Sequence, residues 1–135
     1  MRATSEAHSA LNGGNMVWTG RIMSAIAVLF MLMDATIHVL KPPPVVLAFA
    51  QLGYPVSLSA GLGVLEFLCV VIYVIPRTTV FGALLLTGYL GGATAAQLRA
   101  GSPIFELIFP ALIGILVWGG IYLREERLRQ LIPLR

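Results

Sequence analysis

Charge is what this sequence has least of. Of 135 residues, 9 are Lys or Arg and 6 are Asp or Glu, 11% together, where a soluble domain carries about 25%. So thin a set cannot cover the surface of a water-soluble fold of this length. The net charge of +3 does not describe a nucleic-acid interface either. Four of the nine basic residues, Arg124, Arg127, Arg129 and Arg135, crowd the last dozen positions beside an apolar segment, and no basic stripe with interleaved aromatics is present. Nucleic acid is therefore not an expected partner.

Ligands and nucleophiles are equally scarce. The single cysteine, Cys69, excludes an intramolecular disulfide and a cysteine-cluster metal site. It lies inside an apolar run, where the expected role is a small, inert core residue. There are two histidines, His8 and His38. No nucleophile–base constellation or phosphate-binding glycine loop occurs. The Gly61-x-Gly63 pair sits within an apolar segment, with no strand before it, and is not a nucleotide motif.

What the sequence does have is apolar length. Its hydrophobic fraction is 58% and its mean hydropathy +0.88. Crossing about 30 Å of hydrocarbon takes about 20 apolar residues at 1.5 Å each. Four segments meet that requirement, at about 22–40, 57–75, 79–98 and 104–123. Turn chemistry separates them. Lys41-Pro42-Pro43-Pro44 removes three backbone donors and ends the first. Pro76-Arg77-Thr78 ends the second, and Gly101-Ser102-Pro103 parts the last two. The expected fold is all-α, a single four-helix transmembrane bundle over residues 18–135. Residues 1–17, polar and rich in Gly, Ser and Asn, read as a disordered tail. The first span is too long for a signal-peptide core and has no small-residue cleavage site, so it is expected to stay. Val45 to Leu52 suits a short helix at the membrane interface, with Tyr54 at headgroup depth; a plain loop fits the residues nearly as well.

An even number of spans puts both termini on one side. That side holds Arg2, Arg21, Arg77 and the four C-terminal arginines, against Lys41 and Arg99 opposite. The positive-inside rule places both termini in the cytoplasm and the protein in the cytoplasmic (inner) membrane. Residues 124–135 read as an amphipathic tail, with Leu128, Leu131 and Ile132 on one side and arginines between, lying on anionic lipid. Pro110 is expected to kink the fourth span. Trp18 reads as an interfacial anchor and Trp118 as a packing residue. In lipid, small residues let helices approach. Gly88, Gly92 and Ala96 recur at four-residue spacing and make span three the expected centre of packing, inside the bundle or against a second copy.

An ionisable side chain at mid-membrane costs about 2.5–3.5 kcal/mol and needs a reason. Glu66 is at the middle of span two. Asp34 is three residues past the middle of span one, about 4–5 Å beyond the midplane, with His38 and then Lys41 at successive turns on the same face. Thr94, Gln97, Arg99 and Glu106 fall in the same outer half. The inner half holds little beyond Ser24, Thr79, Tyr73 and Tyr122 and reads as an apolar plug. Asp34, His38, Glu66, Thr94, Gln97 and Arg99 are thus the candidate ligand-binding or proton-relay residues. Three roles fit them: acid–base pairs that lock the bundle, a pocket for a polar headgroup such as a quinone ring, or a proton relay. Asp34 and His38 at i, i+4 could share a metal with Glu66. With one histidine and two carboxylates the donor set is weak, and no metal is expected.

Several stretches also carry a resemblance: Leu40–Val45 (LKPPPV), Leu52–Pro55 (LGYP), Gly61–Glu66 (GLGVLE), Ile75–Thr78 (IPRT), Leu84–Ala93 (LLLTGYLGGA) and the ending around Leu128–Pro133. In their order and spacing the chain resembles the DoxX-like membrane proteins from about residue 18 onward. The resemblance implies a four-helix membrane fold and an accessory place beside membrane redox complexes, including those of thiosulfate–quinone oxidoreduction. It does not imply an enzyme on its own. Relatives commonly carry a histidine where Gln97 stands here, while the glutamate at Glu66 is kept. The leading expectation is a redox-associated subunit binding a quinone or lipid-like molecule in an outer-half pocket. The alternatives are a small proton-coupled transporter and a structural or assembly protein.

Overall fold

The computed structural model describes residues 1–133; Leu134 and Arg135, with the end of the amphipathic tail, lie outside the described residues. Six helices follow in order: α1 (Arg2–Leu40), α2 (Pro43–Leu52), α3 (Ser57–Val74), α4 (Thr79–Ala100), α5 (Ile104–Arg124) and α6 (Glu126–Leu131). Among the described residues there is no strand. Four helices, α1, α3, α4 and α5, are long and apolar enough to cross a membrane. The fold is the expected all-α bundle, and the short helix between the first two spans is present as α2.

The punctuation of the sequence produces the turns. α1 stops at Lys41, which turns left-handed (φ 52°) before Pro42. Gly53 (φ 73°) and Gly101 (φ 68°) close α2 and α4 in the left-handed region, which a residue without a Cβ enters at no steric cost. At Gly53, the N–H groups of Gly53 and Tyr54 reach back to Ala50 O and Phe49 O at 3.1 and 2.9 Å. At the end of α3 the hydroxyls of Thr78 and Thr79 donate to the Ile72 and Ile75 carbonyls. α5 runs as one helix through Pro110.

The long helices form a ring in which α1 packs on α3 and α5, and α4 on α3 and α5. Ala27, Met31, Val70, Tyr73, Leu86, Val117 and their neighbours fill the centre. Large apolar side chains such as Leu29, Phe67, Leu84 and Ile115 point out of the ring, which suits lipid and not water. α2 lies across one end, against α4, and α6 folds under α5 at the other.

Two expectations change here. Residues 2–17, read as an irregular tail, continue α1 as helix, with Gly13 and Gly14 inside it; Ala, Glu, Leu and Met on either side favour that state. The second change concerns the glycine stripe of the third span. A Cβ at Gly88, Gly91 or Gly92 would meet nothing within 4 Å, so this face of α4 is not packed within the bundle. The close crossings are elsewhere. A Cβ on Gly20 would stand 2.7 Å from Gly120 O, and one on Gly63 2.6 Å from Ala35 O. One on Gly82 would run into the Tyr73 backbone. Small-residue spacing marks a face that can be approached; it does not say by what. In α6, Leu128 is buried, while Leu131 and Ile132 are exposed.

Candidate functional site

The site grows from the last two turns of α1. Pro42 has no N–H to give the His38 carbonyl, four residues back in the helix. The Ser59 hydroxyl of α3 donates to that carbonyl instead, at 2.7 Å, and Ser59 is fully buried. One turn on, Gly63 lets the α3 backbone close onto α1: its missing Cβ would lie 2.9 Å from His38 Cβ. Glu66 follows on the same buried face of α3 and is carried to the imidazole, with no exposed surface at all.

Four polar side chains meet there. His38 Nδ1 is 2.8 Å from the Asp34 carbonyl, 3.4 Å from Asp34 Oδ2 and 4.0 Å from Glu66 Oε2. Tyr89, from α4, donates its hydroxyl hydrogen to Glu66 Oε2 at 3.0 Å. Glu66 Oε1 is buried with no hydrogen-bond partner among the described residues. Asp34 and His38 keep partial exposure, 28% and 18% of their side chains. Phe49 of α2 covers the imidazole, ring centroids 5.8 Å apart and planes at 68°.

The chemistry follows from the count of protons. Two carboxyl groups and one imidazole are jointly neutral when they hold two protons, and neutrality is what a low-dielectric interior favours. Three groups are there to hold those protons, the imidazole standing 3.4 and 4.0 Å from the two carboxyl groups. The ligand atoms of Asp34, His38 and Glu66 also lie within 4.8 Å of one another. One imidazole with two carboxylates suits a hard divalent ion more than a soft one. The hydrogen bonds fix the parts in place: the imidazole Nδ1–H donates to the Asp34 carbonyl, and the Tyr89 hydroxyl to Glu66 Oε2.

Beside the cluster, a groove of about 280 Å³ opens between α1 and α3. Ala35, Thr36, Val39, Leu40, Gly63, Val64 and Phe67 line it. Its wall is almost wholly apolar. Ala35 and Val39 are the chain neighbours of Asp34 and His38, and Gly63 is shared between groove and cluster.

Of the residues singled out in the sequence, Asp34, His38 and Glu66 come together, and Thr94, Gln97 and Arg99 do not. They stand five to ten residues beyond Tyr89, about 8–15 Å further along α4, and serve the end of the bundle. The Thr94 hydroxyl donates to Leu90 O, and the Ser102 hydroxyl donates to Gln97 Oε1 at 2.6 Å. Arg99 donates from Nη2 to Leu52 O at 2.6 Å and lies 5.2 Å over the Tyr54 ring, so it ties down the end of α2. Sequence reading passed over Tyr89 and Ser59. A phenol in the middle of a Leu- and Gly-rich span was the available signal for the first.

The other half of the bundle is not a plain apolar plug. Tyr73 donates to Val117 O at 2.9 Å, so the Ser24 hydroxyl, 2.8 Å away, donates to the phenol oxygen. This buried chain links α1, α3 and α5. It was invisible in sequence because each member is a lone polar residue on a different helix.

Four long apolar helices around a buried acid–imidazole–phenol cluster define a multi-pass integral membrane protein. The family model described as the DoxX-like family matches residues 22–120. The chain belongs to that family. Comparison with curated proteins and with solved structures found no match.

Proposed function

We propose that this protein is an accessory subunit of a membrane redox system, and that it seats a quinone or lipid-like molecule in the groove between α1 and α3. The observation that carries this reading is the contact between groove and cluster at Gly63. An apolar wall suited to an isoprenoid or acyl tail ends beside Asp34 and His38, which can exchange protons with a polar head. The protein's part is binding and proton exchange; a partner subunit handles the electrons.

In the orientation favoured by the positive-inside rule, both termini face the cytoplasm and the cluster lies in the outer half of the inner membrane. The open face of α4 at Gly88, Gly92 and Ala96 is the surface on which a second copy or a redox partner would pack.

The test is extraction of the detergent-purified protein for bound quinone, followed by titration with ubiquinone and menaquinone. Near-stoichiometric quinone is expected, reduced by Val64→Trp, which fills the groove. Quinone absent from the extract and unbound in the titration would overturn the reading. So would an unchanged redox phenotype for both Glu66→Gln and Asp34→Asn.

A further inference from the structure

We propose that the end of the bundle opposite the cluster holds a site for the phosphate of an anionic phospholipid, gripped between Arg21 and Arg124. The crossing of α1 and α5 creates it. Gly20 and Gly120 bring the two backbones together so closely that a Cβ on Gly20 would stand 3.2 Å from Arg124 N. Arg21, the next residue along α1, is thereby set at the same level as Arg124, the last residue of α5. Both line a groove of about 250 Å³ between helices.

The charge in this groove is unanswered. The ion pairs formed among the described residues are both at His38, so neither guanidinium has a carboxylate partner among them. Arg21 is exposed and lies 5.8 Å from the Trp18 ring; Arg124 lies 5.9 Å from the Tyr73 ring. The Nε–H of Arg124 is buried and has no acceptor among the described residues. A buried donor without an acceptor is rare in a folded protein and points to an anion. Ser24 and Tyr73 also line the groove, but their hydroxyl hydrogens are spent on each other and on Val117 O, which leaves the guanidiniums as the donors. Guanidinium is the group best matched to phosphate oxygens.

The rest of the groove says that the phosphate belongs to a lipid. Ala25, Val28 and Val74 continue it along the helices as an apolar strip, and exposed Trp18 stands where aromatic side chains meet the headgroup layer. A basic pocket between spanning helices, opening onto such a strip, accepts a headgroup and its first acyl carbons together. A free phosphate would use the arginines alone. The site is independent of the quinone groove.

The experiment places the full chain in nanodiscs of phosphatidylcholine, with and without phosphatidylglycerol, and measures lipid retention by native mass spectrometry after detergent release. Retained phosphatidylglycerol is expected, with affinity lowered about fivefold by Arg21→Gln and about as much by Arg124→Gln. Arg2→Gln, exposed at the far start of α1, should leave it unchanged. Arg21 is exposed, so its variant reads out binding even if Arg124→Gln misfolds. Equal retention of both lipids would overturn the proposal. So would an equal loss in Arg2→Gln, which is general surface attraction, or inorganic phosphate competing the lipid away at equal concentration.

Discussion

Tyr89 donates its hydroxyl hydrogen to Glu66 Oε2 at 3.0 Å, and this bond joins α4 to the carboxyl group that α3 buries most deeply. The second oxygen of the same carboxyl has no partner. Among the described residues Tyr89 is thus the donor that holds Glu66 in place, while His38 and Asp34 set its charge balance from α1.

Replacing Tyr89 by Phe should therefore loosen the cluster without emptying it. The loss expected is about 0.6 kcal/mol, the average for hydrogen bonds between membrane helices, and no more than about 1.7 kcal/mol, read as a lower melting temperature in detergent. Glu66→Gln retains an acceptor for Tyr89 but not the proton. It should cost less stability than Tyr89→Phe while weakening proton exchange with a bound quinone, because only Asp34 and His38 are left to carry it. A Glu66→Gln protein that melts far below Tyr89→Phe would show that the carboxylate is chiefly a structural lock.

The spans, their order and the short helix α2 were legible in sequence because bilayer thickness and proline chemistry act locally. Apart from the start of α1, which reaches back to Arg2, helix ends differed by a residue or two, as at α4, which runs to Ala100. The trio Asp34, His38 and Glu66 was legible for a related reason: ionisable groups in apolar runs are conspicuous wherever they point. Which faces meet was not legible. Gly63 and Gly120 look no different in sequence from Gly88 and Gly92, yet the first two sit in helix crossings and the others face outward. Tyr73 and Ser24 are 49 residues apart, and only the fold brings them to 2.8 Å.

That distinction gives a direct comparison of glycines. Gly120→Val places its branch against Ser24 and the Gly20 carbonyl. Overpacking of this kind costs about 1–3 kcal/mol, and backbone contact offers little relief. Gly88→Val and Gly92→Val meet open space and should leave the monomer's stability within about 0.5 kcal/mol. Their effect, if α4 packs on a second copy, is on the monomer–dimer balance seen by cross-linking in the membrane. A similar drop in melting temperature for all three variants would contradict the packing described here.

Arg99 supplies a prediction about α2. This helix covers His38 with Phe49, and its C-terminal end is tied to α4 by the bond from Arg99 to the Leu52 carbonyl and by the stacking on Tyr54. Arg99→Ala removes both ties. Amide exchange across residues 45–54 should accelerate while exchange in the middle of α3 and α4 stays slow, and quinone affinity should change with it if α2 guards the groove. Unchanged exchange over α2 would mean that Val45 and Phe49, both buried, hold the helix by themselves.

The Ser24–Tyr73–Val117 chain predicts a specific pattern of non-additivity. Tyr73→Phe removes the donor to Val117 and the acceptor of Ser24 in one step, whereas Ser24→Ala removes only the second bond. Tyr73→Phe should therefore be the more destabilising, by about 0.6 kcal/mol or more. The double variant should cost scarcely more than Tyr73→Phe alone, because the Ser24 hydroxyl has already lost its partner. Thermal unfolding of the three variants in one detergent measures the cycle. Additive losses would mean that Ser24 contributes through its packing at the Gly20–Gly120 crossing, and that the hydroxyl chain does not bind the three helices as a unit.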